Sequence, residues 1–409
     1  MLLSIAWRNL WRNSKRSGAT IAAMTLSVFM LIFYSGLSSG MLQRMESKVL
    51  DYGLGDAQVF HPDYRKSPSI YERIEHSDDL VARLEAANFS VSPRLLGSGL
   101  AAAGDASAGV SLLGLDVARD QTVSRLAKAV AHGQWLDPTA PQAVVLGGKL
   151  AAQLGVDVGA EIVVLSQGAD GSTANELYEV RGILGTVTED IDRGGVLLNL
   201  DAYRSLMVVP EGVHQLVVRF PGGTPPPTPS GADPVMDKLR ALTPGLDSAP
   251  WRSINPGIAS MLDSASGAIA VMMVIVYLAI GIVILNAMLM AVFERIREFG
   301  VLKALGVGPF AVFRLIMLEA LLQGCVAASL GTLVALPVNW FMVHHGLRLD
   351  GVSGVSTMGV TMDAVWKSEV SGATYAGPIV LLFVFIVLAA VVPAVRAALT
   401  QPATSMRHT

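Results

Sequence analysis

Several short patterns in the sequence carry residue types that can do chemistry, so the context of each decides what it is. Gly36-Leu37-Ser38-Ser39-Gly40 has the G-x-S-x-G spacing of a nucleophile elbow, which needs a strand before it and a helix after it. Here it closes a long uncharged stretch, and the same spacing fits small-xxx-small packing, in which glycines let helices approach. Gly147-Gly148-Lys149 has the look of a phosphate loop, but a Walker motif needs Gly where Ala143 stands and Ser or Thr where Leu150 stands. The histidines His61, His76, His132, His214, His344, His345 and His408 are scattered. The one adjacent pair, His344-His345, would point about 100° apart on a helix, a poor start for a metal site. Asp190-Ile191-Asp192 offers two carboxylates and reads as a solvated acidic loop. Glu319 is the one acid within the apolar reach of the helix that continues through 320–343, where ionisable groups are functional suspects. Its closeness to Arg314 favours a structural role at the edge, in reach of water.

The most informative stretch is Glu294–Pro309, ERIREFGVLKALGVGP. Phe299, Leu302 and Leu305 recur every three residues and give a short helix an apolar face, with Arg295 and Glu298 as an i,i+3 pair beside it. A polar loop has no need of such a face. An apolar patch rimmed by charge reads either as a docking surface for a partner protein or as packing on a lipid surface.

The elements that hold this stretch are membrane helices. Apolar residues make up 52% of the 409 and charged residues 15%, against roughly 25% in soluble domains. Four stretches carry no charge: Ala19–Met41, Ser264–Phe293, Ala320–Val343 and Val370–Val395, of 23, 30, 24 and 26 residues. Roughly 20 helical residues cross a bilayer. The second is long enough for its first turns to stand outside as a stalk. Arg8, Arg12, Lys15 and Arg16 precede the first stretch, Arg295, Arg297, Lys303 and Arg314 lie between the second and third, and Arg396 and Arg407 follow the fourth. The remaining loop sets Arg348 and Lys367 against Asp350, Asp363 and Glu369. Cytoplasmic flanks collect Lys and Arg, which puts both termini and the 294–314 loop inside. Segment 42–263 carries 18 Lys/Arg against 27 Asp/Glu, net −9, and is expected outside. A 23-residue apolar run exceeds the usual signal-peptide core and fits a retained signal-anchor better.

Leu3, Trp7, Leu10 and Trp11 share one helical face with Arg8 and Arg12 off it, the pattern of a helix lying in the interface. The outer segment mixes strands and helices and is long enough for two small lobes. Glu161–Leu165, Leu177–Arg181, Val196–Leu200 and Gln215–Phe220 read as strands, Asp201–Met207 and Pro234–Leu242 as helices. Ser77-Asp78-Asp79 reads as the cap of a further helix. Pro221–Gly231 is too rich in Pro and Gly for either. Cys325 is the single cysteine, so no intrachain disulfide is available. The fold class expected is an α-helical membrane domain of four transmembrane helices plus an α+β extracytoplasmic domain inserted between helices 1 and 2. The expected division is an interfacial helix over 1–17, transmembrane helices over 18–45, 264–293, 310–343 and 370–395, and the outer domain over 46–263. Between and after them lie a coupling segment over 294–309, an outer loop over 344–369 and a cytoplasmic tail over 396–409.

Glu294, Arg295, Arg297, Glu298, Gly300, Leu302, Lys303, Ala304 and Gly306 match the coupling segment of FtsX/MacB-type ABC transporter permeases, with Phe299 in place of the usual Ile. The opening Ala6–Asn13, the ending Pro393–Ala398 with Pro402, and Leu146–Ala151 with Glu179–Ile183 resemble the same family in order and place. Lengths bring the chain nearest the lipoprotein-releasing LolC/LolE-like branch. The outer segment is larger than is typical of FtsX, and the 344–369 loop is long for MacB. The resemblance implies a permease of the bacterial inner membrane with its large domain periplasmic. It implies pairing with a second permease copy or homologue and with a cytoplasmic ABC ATPase dimer. The chain itself would bind no cofactor, since ATP and Mg belong to the partner. The remaining partners expected are a lipoprotein or other lipidic substrate and membrane lipids, with no nucleic acid. Glu294, Arg295, Arg297, Glu298, Phe299, Leu302, Lys303, Leu305 and Gly306 would then form the ATPase contact. Alternatives are MacB-like efflux, FtsX-like signalling, or a membrane-anchored binding scaffold.

Overall fold

The structure is a computed structural model and describes residues 4, 6–8, 10, 14–209, 211–223, 233–293, 296–348, 356–357, 360–361 and 365–399. It divides into two compact units. The first comprises 1–43, 264–349 and 365–409, and the second is centred on 44–263.

The first unit is helical. α1 (Ser14–Val49), α2 (Pro256–Phe293), α4 (Pro309–His344) and α5 (Gly372–Leu399) are long and apolar enough to cross a membrane, and α3 (Ile296–Ala304) is a short helix between them. These sequences are apolar on every side, so their helices are stable where nothing competes for backbone hydrogen bonds. Their core joins Met24, Val28 and Ile32 of α1 to Ala327 of α4 and to Leu382 and Ile386 of α5. Small residues bring the helices together: a Cβ on Gly331 would lie 2.8 Å from Val28 Cβ. Gly36 and Gly40 chiefly face a loop, although a Cβ on Gly36 would also lie 3.4 Å from Asn339 Oδ1 of α4. A Cβ on either would collide with the 367–369 segment, where the Glu369 N–H donates to Gly36 O at 2.9 Å. The G-x-S-x-G spacing is therefore a seat for a loop. Pro337 lies within α4, and Pro378 and Pro393 within α5.

The second unit is built on ten strands: β1 (Ala57–Phe60), β2 (Ser90–Ala103), β3 (Ala106–Leu115), β4 (Val130–Gly133), β5 (Ala143–Leu146), β6 (Glu161–Gln167), β7 (Thr173–Leu184), β8 (Gly195–Asn199), β9 (Gln215–Arg219) and β10 (Asp247–Pro250). Their order is β10-β1-β9-β2-β3-β8-β5-β7-β4, and β6 pairs with both β2 and β7. The pairings β2-β3-β8-β5-β7-β6-β2 therefore close a six-stranded ring, which removes free edges. Its interior holds Leu95, Leu112, Val144, Ile162, Tyr178 and Leu198. Of the four strands outside the ring, β4 pairs with β7, while β10, β1 and β9 join the start of β2 and bury a second core with helices Ser77–Ala86 and Pro234–Leu242, including Val59, Leu84, Val218 and Leu239. β2 is the strand common to both cores, since its residues 90–94 pair with β9 and 94–103 with β3.

Two local readings change. Ser77 does not cap its helix: His76 does, in a left-handed conformation (φ 50°) without a side-chain hydrogen bond, while Ser77 is buried in the first turn. The strand expected at 177–181 runs from Thr173 to Leu184, because β6 supplies a partner along most of its length. Of the Pro/Gly-rich segment, 224–231 lie outside the described residues.

Candidate coupling site at residues 294–309

Glu294 and Arg295 lie outside the described residues, so the expected Arg295–Glu298 pair does too. From Ile296 the chain is helical to Ala304, and of Arg297 and Phe299 the structure describes the helical backbone alone. Gly306 ends the helix at φ +93°, a left-handed conformation that a side chain would strain. Its N–H donates to Lys303 O at 2.9 Å, and the Val307 N–H donates to Leu302 O at 3.0 Å. These are the paired bonds of a Schellman cap, completed by the apolar contact that accompanies it: Leu302 and Val307 pack on one cluster. Gly308 then leads into Pro309 at the first turn of α4, where a missing N–H costs nothing.

The three-residue spacing put Phe299, Leu302 and Leu305 on one face. The structure divides that face. Leu302 turns inward onto Val312 and Ile316 of α4 and Ala394 and Ala397 of α5. Leu305 follows the last helical residue and is 77% exposed, since the left-handed cap swings it off the stripe. Val301 and Phe310, the latter 70% exposed, extend the apolar surface that Leu305 starts. Arg314 sits over the Phe310 ring at 5.8 Å, close enough for a cation–π contact. Lys303 also points into the unit, donating to the Ala398 carbonyl in the last turn of α5. That is where a cation complements a helix C-terminus. Burial lowers the Lys303 pKa. Glu298 is half-buried. The segment is thus a capped helix sewn to α4 and α5 by Leu302, Val307 and Lys303, presenting Val301, Leu305 and Phe310. Among the described residues, this surface is apolar and exposed.

The other singled-out residues have structural duties. A Cβ on Gly147 would collide with Ile191 O, and one on Gly148 would lie 2.7 Å from Leu184 O. Lys149 pairs with Glu189 at 2.8 Å, and that hydrogen bond holds the Glu189 carboxyl below its usual range. The acidic loop is not uniformly solvated: Asp192 is buried and accepts the Val187 N–H at 2.9 Å, and its burial raises its pKa. Glu319 is buried too, on the α4 face that also carries Gln323 one turn on, not open at the membrane edge. His344 lies against Trp340 with the rings tilted and His345 stacks on Phe341, so the pair diverges.

Two features escaped sequence reasoning. His61, Asp63 and Glu72 bring their ligand atoms within 4.8 Å of one another, but His61 already meets Glu72 at 2.7 Å and Lys66 meets Asp63 at 3.0 Å. His214 is fully buried; its Nδ1 accepts the Leu96 N–H at 2.9 Å, which leaves Nε2 to donate to Ile70 O at 3.2 Å. Burial pushes its pKa down.

Comparison with known proteins gives matches along most of the chain. A family model described as MacB-like periplasmic core domain matches residues 17–228, and one described as FtsX-like permease C-terminal matches 270–402. The lipoprotein-releasing system transmembrane protein LolC of Xylella fastidiosa strain 9a5c is 21% identical over 282 residues, covering 65% of this chain and 64% of the relative. Its counterpart in strain Temecula1 is 21% identical over 281 residues with the same coverage. The match thus spans slightly under two thirds of these relatives' length. Among solved structures, the periplasmic region of MacB from Actinobacillus actinomycetemcomitans aligns at 14% identity and a TM-score of 0.36, over 52% of this chain and 98% of that one. The extracellular domain of the noncanonic ABC-type transporter YknZ from Gram-positive bacteria aligns at 11% identity and 0.33, over 47% and 97%.

Proposed function

The chain belongs to the family of FtsX-like ABC transporter permeases with a MacB-like periplasmic core domain, and from that premise we propose that it couples a separate cytoplasmic ATPase to work done by its second unit outside the membrane. The observation that carries this is the surface of Val301, Leu305 and Phe310, presented beside a cap that fixes its geometry. An exposed apolar patch with charges at its rim marks a protein or membrane contact, and the permease family favours the protein. Glu298 and Arg314 are such rim charges, and Glu294, Arg295 and Arg297 adjoin them in sequence. Leu302, Lys303 and Gly306 support the surface from behind or beside it, and Phe299 belongs to the same helix. ATP and Mg would be held by the partner, as a dimer beneath two permease chains.

In this reading both termini and α3 face the cytoplasm, and the second unit, inserted between the first and second spans, faces the periplasm of a bacterial inner membrane. The Lys/Arg bias argues for that orientation. α2 exposes Val271, Ile275, Leu278 and Ile282 among others, an apolar surface suited to lipid and to a second permease copy or homologue. The relatives named as LolC belong to lipoprotein-releasing systems. The substrate class proposed for this chain is accordingly a lipoprotein or another lipidic molecule. The test is affinity purification of the full chain from gently solubilised membranes of its own host, followed by assay of Mg-ATP hydrolysis. An ATPase subunit in stoichiometric amount is the expected result. A chain that purifies intact without one, under several mild detergents, would favour the anchored-scaffold alternative.

A further inference from the structure

A cleft of about 630 Å³ opens within the second unit, inside the range of about 300–1,000 Å³ typical of small-ligand sites. Its walls include Val49, Leu54, Leu96, Leu113, Ile191 and Ile258. Its inner end carries Gln58, Gln215 and Arg94, all buried. Arg94 is not available to an anion. Its Nη2 pairs with Asp120 at 2.7 Å, its Nε donates to the same oxygen, and its Nη1 donates to Gly53 O at 2.8 Å. With its buried cation neutralised, the cleft offers apolar side chains along much of its wall and amide groups at its inner end, while Lys48, Glu189 and Asp190 also belong to its lining. Gln58 spends one donor on Leu54 O at 2.9 Å, and an amide keeps further donor and acceptor capacity. Apolar walls with a few polar groups at one end suit a long hydrocarbon chain carrying an ester or amide carbonyl. The origin of the walls points the same way. Val49 and Leu54 end the segment Ser17–Leu54, and Ile258 begins the segment Pro256–Asn286, both apolar enough to cross a membrane. The chain that lines the cleft therefore continues directly into two membrane helices.

We propose that this cleft binds a single fatty acyl chain. The proposal rests on the permease reading only for the source of that chain, which is either the lipid modification of a substrate or a membrane phospholipid. The experiment uses the full chain in nanodiscs and two photoactivatable probes with the same diazirine-bearing palmitoyl chain: a triacylated lipopeptide and a phosphatidylglycerol. Labelled sites are mapped by mass spectrometry. The expected label lies in peptides covering 48–58 and 187–191. It should fall roughly tenfold or more in Leu54→Asp, which places a charge in the apolar wall, and comparably in Ile258→Trp, which fills the cleft. Labelling by the lipopeptide alone would make the substrate the source, by the phospholipid alone the membrane, and by both a site open to either. Label confined to the membrane-spanning helices, label unchanged in both variants, or displacement by the unacylated peptide would overturn the proposal. An ATPase that co-purifies with an unlabelled cleft sinks this inference and leaves the permease reading standing. The converse result does the reverse.

Discussion

His214 shows how much one side chain can fix. With Nδ1 accepting the Leu96 N–H, the ring cannot take a second proton without losing that bond, and burial already opposes the charge. An unfolded histidine takes up a proton below about pH 6.5, whereas the folded one does so only at lower pH. Stability from this group is therefore whole above about 6.5 and declines as pH falls from there towards the folded value. The second unit, 44–263, has its own two cores and is expected to melt cooperatively when produced alone. Its melting temperature should fall between pH 7.5 and 5.5, and His214→Gln should flatten that fall while lowering the melting temperature at every pH. An unaltered pH profile in the variant would remove His214 from the account. Gly306 works at the same scale. Its left-handed φ closes the cap, and the cap decides that Leu305 faces out while Leu302 and Val307 face in.

At the scale of elements, the turn between α1 and β1 is tied by three arginines. Residues Leu50–Leu54 form a π-helical turn. Arg94 holds Gly53 O, Arg125 meets Asp51 at 3.2 Å, and Arg219 bridges Asp51 and Asp56. Asp120 anchors the first of these and also accepts Ser92 Oγ at 2.9 Å. Removing one partner of a buried pair strands the other charge, a loss of about 3–5 kcal/mol. Asp120→Ala should lower the opening free energy of the 50–56 segment by about that amount, read as faster amide exchange in the full chain. Protection as strong as in wild type would show that the turn is held without Arg94. The spans were legible from sequence because uncharged runs of membrane length have few other uses. β6, β8 and β9 were legible from β-branched and leucine-rich runs. β2 and β3 were not, because Gly97, Gly99 and Ala101–Ala103 favour no strand by themselves. They pair because β9, β6 and β8 supply partners on either side. The one local signal was Gly104-Asp105 between Ala103 and Ala106, a two-residue hairpin turn. In the coupling segment, the three-residue period was legible as an apolar stripe. Its division was not, since that depends on where the helix stops and on what α4 and α5 present behind it.

For the whole molecule, the central claim is that motion generated by a cytoplasmic ATPase enters through α3 and acts on a domain across the membrane. Orientation is its first requirement. A thiol at Gln153, exposed on the second unit, should react with an impermeant maleimide in cells whose outer membrane alone has been opened, and one at Ala304 only after full lysis. Labelling of residue 304 without lysis would reverse the topology. The contact is the second requirement, and its test falls on Leu305, which is 77% exposed, because Leu302 holds α3 to its own unit. Losing a buried interface anchor weakens binding by about 2 kcal/mol, roughly thirtyfold, and a carboxylate in its place adds an unpaired charge. The direct measurement is therefore the amount of ATPase that co-purifies with wild type and with Leu305→Glu at equal membrane levels and equal thermal stability of the permease. The account expects the ATPase to be lost from Leu305→Glu, and an ATPase retained at the wild-type ratio, with hydrolysis still responding to substrate, would contradict it.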